Sequence, residues 1–206
     1  MSLVKAVMRF FCQLSLIALL QLAPLISSAQ ELQPDTGYVF RSLTEAMKQP
    51  SNVYKLSLKG SRLTAIPQEI FSFPNLRYLD LSRNKITGIP SQIASLKELN
   101  YLNLSNNLID TISDSIGQLQ ELVYLGLNRN RVHYLPSTIG DLVSLEVLEL
   151  WDNELEDVPD EISRLQNLRV LELRGILFSD EQQSRIDALV VKTAKVYMSP
   201  SCNCKN

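Results

Sequence analysis

Leucine recurs every 23 residues through the middle of this chain. It stands at positions 79, 102, 125, 148 and 171, and again at 81, 104, 127, 150 and 173. When the chain is divided into consecutive 23-residue frames, the first starting at Val53 and the last at Leu168, eight apolar positions align between the frames. A fixed period of this length is typical of stacked supersecondary units. Because one unit cannot bury eight apolar side chains alone, neighbouring units must share a continuous core.

The first five units also carry a polar position, three residues after the second of these leucines. An amide there both donates and accepts hydrogen bonds, so it can satisfy backbone groups of its own turn and of the next unit. We interpret this position as a structural ladder. Its members are Asn84, Asn107, Asn130 and Asn153, with Ser61 in the first unit.

The combined pattern is L-x-x-L-x-L-x-x-N-x-L followed by I-P-x-x-I-x-x-L. Over residues 53–178 it resembles the leucine-rich repeat of the 23-residue typical kind, and its second half is similar to Ras-suppressor-like and many bacterial repeats. One unit departs from the pattern, since Ser113 replaces a proline. The resemblance implies an α/β fold: a right-handed solenoid with a concave parallel sheet, an irregular or 3-10 convex side, and a role in recognising other proteins.

The first 29 residues have the composition of a secretory signal. Two basic residues precede an uncharged, mostly apolar run over 10–23, Pro24 ends the run, and Ser27-Ser28-Ala29 supplies small residues for cleavage. We therefore predict cleavage after Ala29 and a secreted or periplasmic protein. The alternative is an uncleaved membrane anchor, because residues 10–29 carry no charge.

Segments on both sides of the repeats are predicted to close the stack. Residues 30–52 read as a linker and an N-terminal helical cap, opened by a capping box at Ser42 and Glu45. Residues 179–198 read as a C-terminal cap, with a helix that starts after Ser179 and a last edge strand. Terminal units need such cover for their core and strand edge. The apolar face of the N-terminal helix is predicted to contain Phe40, Leu43, Ala46 and Met47.

Composition and motifs argue against several functions. Residues 30–206 contain 18 basic and 22 acidic side chains, without the basic stripe expected of a nucleic-acid binder. No G-x-S-x-G, H-E-x-x-H or phosphate loop is present, and the one histidine, His133, reads as a solvated loop residue rather than part of a catalytic triad. We expect a monomeric non-enzyme without a cofactor, a metal or membrane insertion of the mature chain. Asp80, Glu149 and Glu172 occupy equivalent positions in different units, and we interpret this column of carboxylates as part of a solvated surface.

Two cysteines, Cys202 and Cys204, lie in the tail formed by residues 199–206. Three interpretations remain open: a local disulfide, a disulfide to another molecule, and free or metal-loaded thiols. Two thiolates without a neighbouring histidine fall short of a four-ligand zinc site. The tail suggests two alternatives to a binding function, which are an envelope scaffold attached through these cysteines and thiol–disulfide exchange.

The informative surface is the open face of the predicted sheet. In L-x-x-L-x-L the leucines point inward, so the residues between them point outward. Tryptophan, tyrosine and arginine dominate the binding energy of protein interfaces, which predicts a protein or peptide partner here. Stacked tyrosines could instead support the sheet as cross-strand pairs. The predicted binding residues are Tyr78, Tyr101, Tyr124, Asn128, Glu149, Trp151, Glu172 and Arg174.

Cleavage of the signal gives the first testable prediction. The exported protein should begin at Gln30, because the small residues before it fit a signal peptidase site. N-terminal mass analysis of the exported protein measures this. A mature protein that keeps Met1 would instead support the membrane anchor.

Overall fold

The computed structural model describes residues 37–201. Contacts divide the chain into two units, Met1–Gly37 and Tyr38–Asn206, and the strands and helices below belong to the second. The signal peptide predicted for residues 1–29 and the cysteines Cys202 and Cys204 lie outside the described residues. These interpretations remain predictions.

A seven-stranded parallel sheet forms one side of the repeats. Its strands pair at the 23-residue register that the leucines predict, with Leu79 opposite both Leu56 and Leu102. Two further short strands pair in parallel and form a second, separate sheet, which the sequence did not predict. The large sheet consists of β1 (Lys55–Ser57), β2 (Tyr78–Asp80), β4 (Tyr101–Asn103), β6 (Tyr124–Gly126), β7 (Val147–Glu149), β8 (Val170–Leu173) and β9 (Lys195–Met198), and the small one of β3 (Gly88–Ile89) and β5 (Thr111–Ile112).

The leucine columns form the core between the sheet and the convex side. Leu79, Leu102 and Leu125 are fully buried, as are their counterparts two residues later. Burying a leucine side chain contributes about 1.5–3 kcal/mol, so the repeated columns supply much of the stability of the stack. The solenoid predicted from the repeat is confirmed.

Short 3-10 helices form the convex side, as predicted. Four of the five that follow the sheet strands begin directly after a proline, whose ring fixes φ near the value required at the entry. In the remaining unit Ser113 takes this place, and its hydroxyl accepts a hydrogen bond from the Ser115 amide at 3.2 Å. A side-chain cap thus replaces the ring. The helices span Gln68–Ser72, Ser91–Ser95, Asp114–Gln118, Ser137–Asp141 and Asp160–Arg164.

The asparagine ladder is buried and joins adjacent units. The Asn107 amide donates to the carbonyls of Leu104 at 2.9 Å and Leu81 at 3.0 Å, and its oxygen accepts from the Ile86 amide at 3.0 Å. Asn84, Asn130 and Asn153 repeat this arrangement. Each asparagine therefore joins its own unit to the preceding unit, whereas the sequence pattern predicted a contact with the following unit. The reason is that the backbone carbonyl and amide within reach of the side chain belong to the turn of the preceding unit.

The N-terminal cap combines a one-turn helix with an extended segment. Helix α1 spans Leu43–Ala46, and the Ser42 hydroxyl accepts from the Glu45 amide at 3.4 Å. Ala46 is buried, but Met47 is exposed, contrary to prediction, because it follows the end of this short helix. Phe40 pairs with Leu56, so backbone also covers the edge of β1.

The C-terminal cap agrees with the sequence. Helix α2 spans Asp180–Leu189, and Ser179 and Gln182 form a reciprocal capping box. The β9 strand then pairs in parallel with β8. Arg185 fastens α2 to the last full unit through Asp157, Asp160 and the carbonyl of Val158.

The ladder generates the second prediction. Asn107→Ala should lower the free energy of unfolding by about 1–3 kcal/mol, because it leaves buried backbone groups without partners. Asn75→Ala is the matched control, since Asn75 makes one exposed hydrogen bond, to the Ser51 carbonyl. Denaturant titration measures both variants. Equal midpoints for the two would mean that the ladder does not hold the units together.

Candidate functional site

Three columns of side chains cover the open side of the seven-stranded sheet, which we call the concave face. Parallel strands lie about 4.8 Å apart, so residues in equivalent positions become near neighbours. The first column contains tyrosines from β2, β4 and β6, the second contains mainly polar residues, and the third follows the ends of the strands.

The tyrosines form one continuous stack. The ring centroids of Tyr78 and Tyr101 are 4.4 Å apart at an interplanar angle of 10°, and those of Tyr101 and Tyr124 are 4.4 Å apart at 7°. All three side chains are half-buried. The register predicted from the sequence therefore brings the three aromatic rings together as a ribbon.

Polar contacts hold this stack in place. The Tyr124 hydroxyl donates to a carboxylate oxygen of Glu149 at 2.9 Å, and the Asn103 amide donates to the Tyr101 hydroxyl at 3.5 Å. Gly126 leaves room for Tyr124, because a Cβ there would lie 2.8 Å from the hydroxyl oxygen. A glycine in a strand is explained here by the ring beside it.

The stacked tyrosines resist ionisation. Burial raises the pKa of Tyr78 to about 12, and repulsion from Tyr101 and the Asp80 carboxylate adds to the effect. Burial also raises the pKa of Tyr124, together with its hydrogen bond to Glu149. The pKa of Tyr101 is raised by burial as well. The stack is thus an uncharged aromatic surface throughout the physiological pH range.

Trp151 is half-buried on the concave face, but its neighbours differ from those predicted. The guanidinium of Arg129 lies 4.7 Å from the centre of its ring and also pairs with Asp152 at 3.5 Å. Asn128, predicted as an outward neighbour, is only 6% exposed. Sequence reasoning missed Arg129, because it lies in the turn after β6 and not in the alternating strand pattern. Its positive φ of 55° marks a turn geometry that alternation does not describe.

The predicted solvated column of carboxylates is wrong for two of its members. Glu172 is 7% exposed, and Arg174 binds both of its oxygens at 2.7 Å. Asp80 is also 7% exposed and accepts from the Ser82 amide at 2.9 Å. Glu149 is half-buried beneath its contact with Tyr124. Buried carboxylates need such donors, which adjacent side chains and turns provide.

The described residues contain few other candidates for chemistry. His133 is half-exposed on its loop, with its Nε2 3.4 Å from Glu154. Between residues 37 and 201, no group of three histidine, cysteine or acidic side chains could hold a metal ion. In the same part of the chain, no helix has the length and apolar character needed to cross a membrane.

The raised pKa values generate the third prediction. Tyr78 should remain mostly protonated at about pH 11, where an ordinary tyrosine is mostly ionised, and Tyr101 and Tyr124 should also ionise later than an ordinary tyrosine. Since the pKa of folded Tyr78, about 12, exceeds its unfolded value, its contribution to stability should be complete below about pH 10 and lost as the pH rises towards 12. Titration of phenolate absorbance measures the first effect, and Tyr78→Phe should remove one late-ionising group. A single transition of all tyrosines near pH 10 would contradict the burial of the stack.

Solved structures with a similar fold include a leucine-rich repeat protein, an internalin and PEPR1. A leucine-rich repeat protein of Leptospira interrogans is 26% identical with a TM-score of 0.64, over 79% of this chain and 49% of that one. An internalin from Listeria monocytogenes is 20% identical with a TM-score of 0.62, over 78% of this chain and 46% of that one, which supports the fold alone. PEPR1, in its structure with AtPEP1, is 29% identical with a TM-score of 0.51, over 56% of this chain and 17% of that one. This chain thus corresponds to less than half of each of these proteins.

A search of curated proteins finds no significant match. A family profile described as a leucine-rich repeat region matches residues 53–196, more than half of the chain. Together with the register of the sheet, the asparagine ladder and the solved structures, this match shows that the chain belongs to the leucine-rich repeat family.

Proposed function

We propose that this chain is an exported leucine-rich repeat protein that recognises a protein or peptide through its concave face. The observation that carries the proposal is the aromatic surface formed by the tyrosine stack and Trp151. Aromatic side chains and arginine are the residues that contribute most to protein interfaces. In this chain the three stacked tyrosines and Trp151 are partly exposed and lie on the same face of the sheet.

The rigidity of this surface favours binding. The ring of Tyr101 is stacked on both sides, and Tyr124 is held by Glu149. Arg174 is fixed by two hydrogen bonds to Glu172. Side chains that are already ordered lose little conformational entropy when a partner binds. The contacts that hold the sheet therefore also prepare it for recognition.

The comparisons support the same class of function. Leucine-rich repeat proteins are generally scaffolds for protein interaction rather than enzymes, and PEPR1 was solved together with AtPEP1. Export is proposed from the signal-like composition of residues 1–29. We therefore propose a secreted or periplasmic binding protein.

The fourth prediction tests the concave face. Partners should be captured with the protein as bait from the medium or envelope fraction of its own cells, and affinity for the captured partner should then be measured. Trp151→Ala should weaken this affinity by about 2 kcal/mol or more, because it removes an aromatic anchor. It should leave the thermal melting temperature nearly unchanged.

Lys97→Ala is the control for this experiment. Lys97 is exposed and contacts the side chain of Gln118, away from the concave face, so its loss should change neither binding nor melting. If Trp151→Ala lowers the melting temperature but not the affinity, Trp151 is structural and the concave face loses its main support as a binding site.

A further inference from the structure

Charge is unevenly distributed along the repeats. Residues 53–98, which form the first two units, contain seven lysines and arginines and three acidic residues, a net charge of +4. Residues 99–178, which form the later units, contain five arginines and 13 acidic residues, a net charge of −8. The overall net charge of −2 conceals this separation. The first two units therefore present a potential opposite in sign to that of the later units.

Four exposed cations of the first two units lie in the turns that follow β1 and β2. Lys59 and Arg62 follow β1, and Arg83 and Lys85 follow β2. The two turns are hydrogen-bonded to each other, for example from the Lys85 amide to the Leu63 carbonyl at 2.7 Å. With Arg41, which precedes α1, we call these cations the basic rim. All five of its side chains are exposed.

The cations of the basic rim differ from most arginines of the later units in having no ion pair among the described residues. Within residues 37–201, no ion pair involves Arg41, Lys59, Arg62, Arg83 or Lys85. Most arginines of the later units are paired with a carboxylate. These pairs are Arg129–Asp152, Arg164–Asp141, Arg169–Glu146, Arg174–Glu172 and Arg185 with Asp157 and Asp160.

The turns after β1 and β2 determine the backbone conformation of two of these cations. Arg62 and Arg83 have φ angles of 61° and 59°, in the left-handed region that disfavours side chains with a Cβ. A positive φ at the position of Arg83 is a feature of the repeat itself, because Gly60, Asn106, Arg129, Asp152 and Gly175 share it in the other units. Asparagine tolerates this conformation better than arginine.

A pocket connects the basic rim to the concave face. It has a volume of about 490 Å³, and its lining includes Arg41, Lys59, Tyr78 and Asp80. Tyr78 is the first ring of the tyrosine stack. Two cations of the basic rim, Arg41 and Lys59, therefore share a pocket with the first ring of the aromatic surface.

We infer that the basic rim binds an acidic segment of the protein partner, one rich in aspartate or glutamate. This inference rests on the proposed function in taking the partner to be a protein. Lysine and arginine form charge-assisted hydrogen bonds with carboxylates, and complementary charge accelerates association and selects among partners. Four unpaired cations on two adjacent units, together with Arg41 of the N-terminal cap, fit a short acidic stretch beside the residues that occupy the concave face.

Charge also argues for a carboxylate-bearing segment over a nucleic acid. A long polyanion that followed the solenoid would leave the basic rim and meet the later units, with their net charge of −8. A short acidic segment restricted to the first two units avoids this repulsion.

The test uses a fluorescent peptide of about ten glutamates as the probe, at low and moderate salt. The double variant Arg62→Asn with Arg83→Asn removes two charges and places asparagine at the left-handed positions. We expect it to weaken binding at least tenfold while the melting temperature stays equal or rises, a combination that damage to the fold would not give. Binding by the unaltered protein should also weaken as salt increases.

Two further variants complete the design. Lys59→Gln with Lys85→Gln removes charge at residues without a left-handed backbone and should also weaken binding. Lys97→Asn removes an exposed cation outside the basic rim and should leave binding unchanged.

Three results would overturn the inference. They are no binding of the glutamate peptide by the unaltered protein at low salt, an equal loss in Lys97→Asn, and tighter binding of a single-stranded oligothymidine of the same length. None of them bears on the Trp151→Ala experiment, so failure of the basic rim and failure of the concave face are distinguishable.

Discussion

The structure depends on the hydrogen bonds through which each buried asparagine joins two consecutive turns. Asn107 satisfies carbonyls in two units and an amide in the preceding one, and three other asparagines repeat this arrangement. Leucine burial drives the units together but is non-directional, and many registers would bury similar area. The amide contacts are directional, so they favour the one register in which equivalent residues face each other.

This register creates the candidate binding surface. Once β2, β4 and β6 are aligned, their tyrosines must stack, and the second column must accommodate the rings. Gly126 provides space and Glu149 accepts the hydroxyl of Tyr124. The polar residues of the concave face therefore support the aromatic ones, and a partner meets an ordered surface that is largely neutral at its centre.

Charge is distributed differently at the edge of this surface. Carboxylates on the face have internal donors, and most arginines of the later units are paired. The cations of the basic rim lack such partners among the described residues and remain exposed. An aromatic centre with a charged edge combines affinity from desolvated contacts with orientation from electrostatics.

The sequence by itself determined the repeat, the parallel strands, the buried leucines, the asparagine ladder and the tyrosine register, because these follow from a constant period and from alternation along a strand. It also located the helix of the C-terminal cap, through the helix-start pattern at Ser179. Only the tertiary structure decided that Asn128 and Glu172 are buried and that Arg129 covers Trp151. These features depend on how far side chains reach between units and on turns with positive φ, and neither is encoded in an alternating pattern.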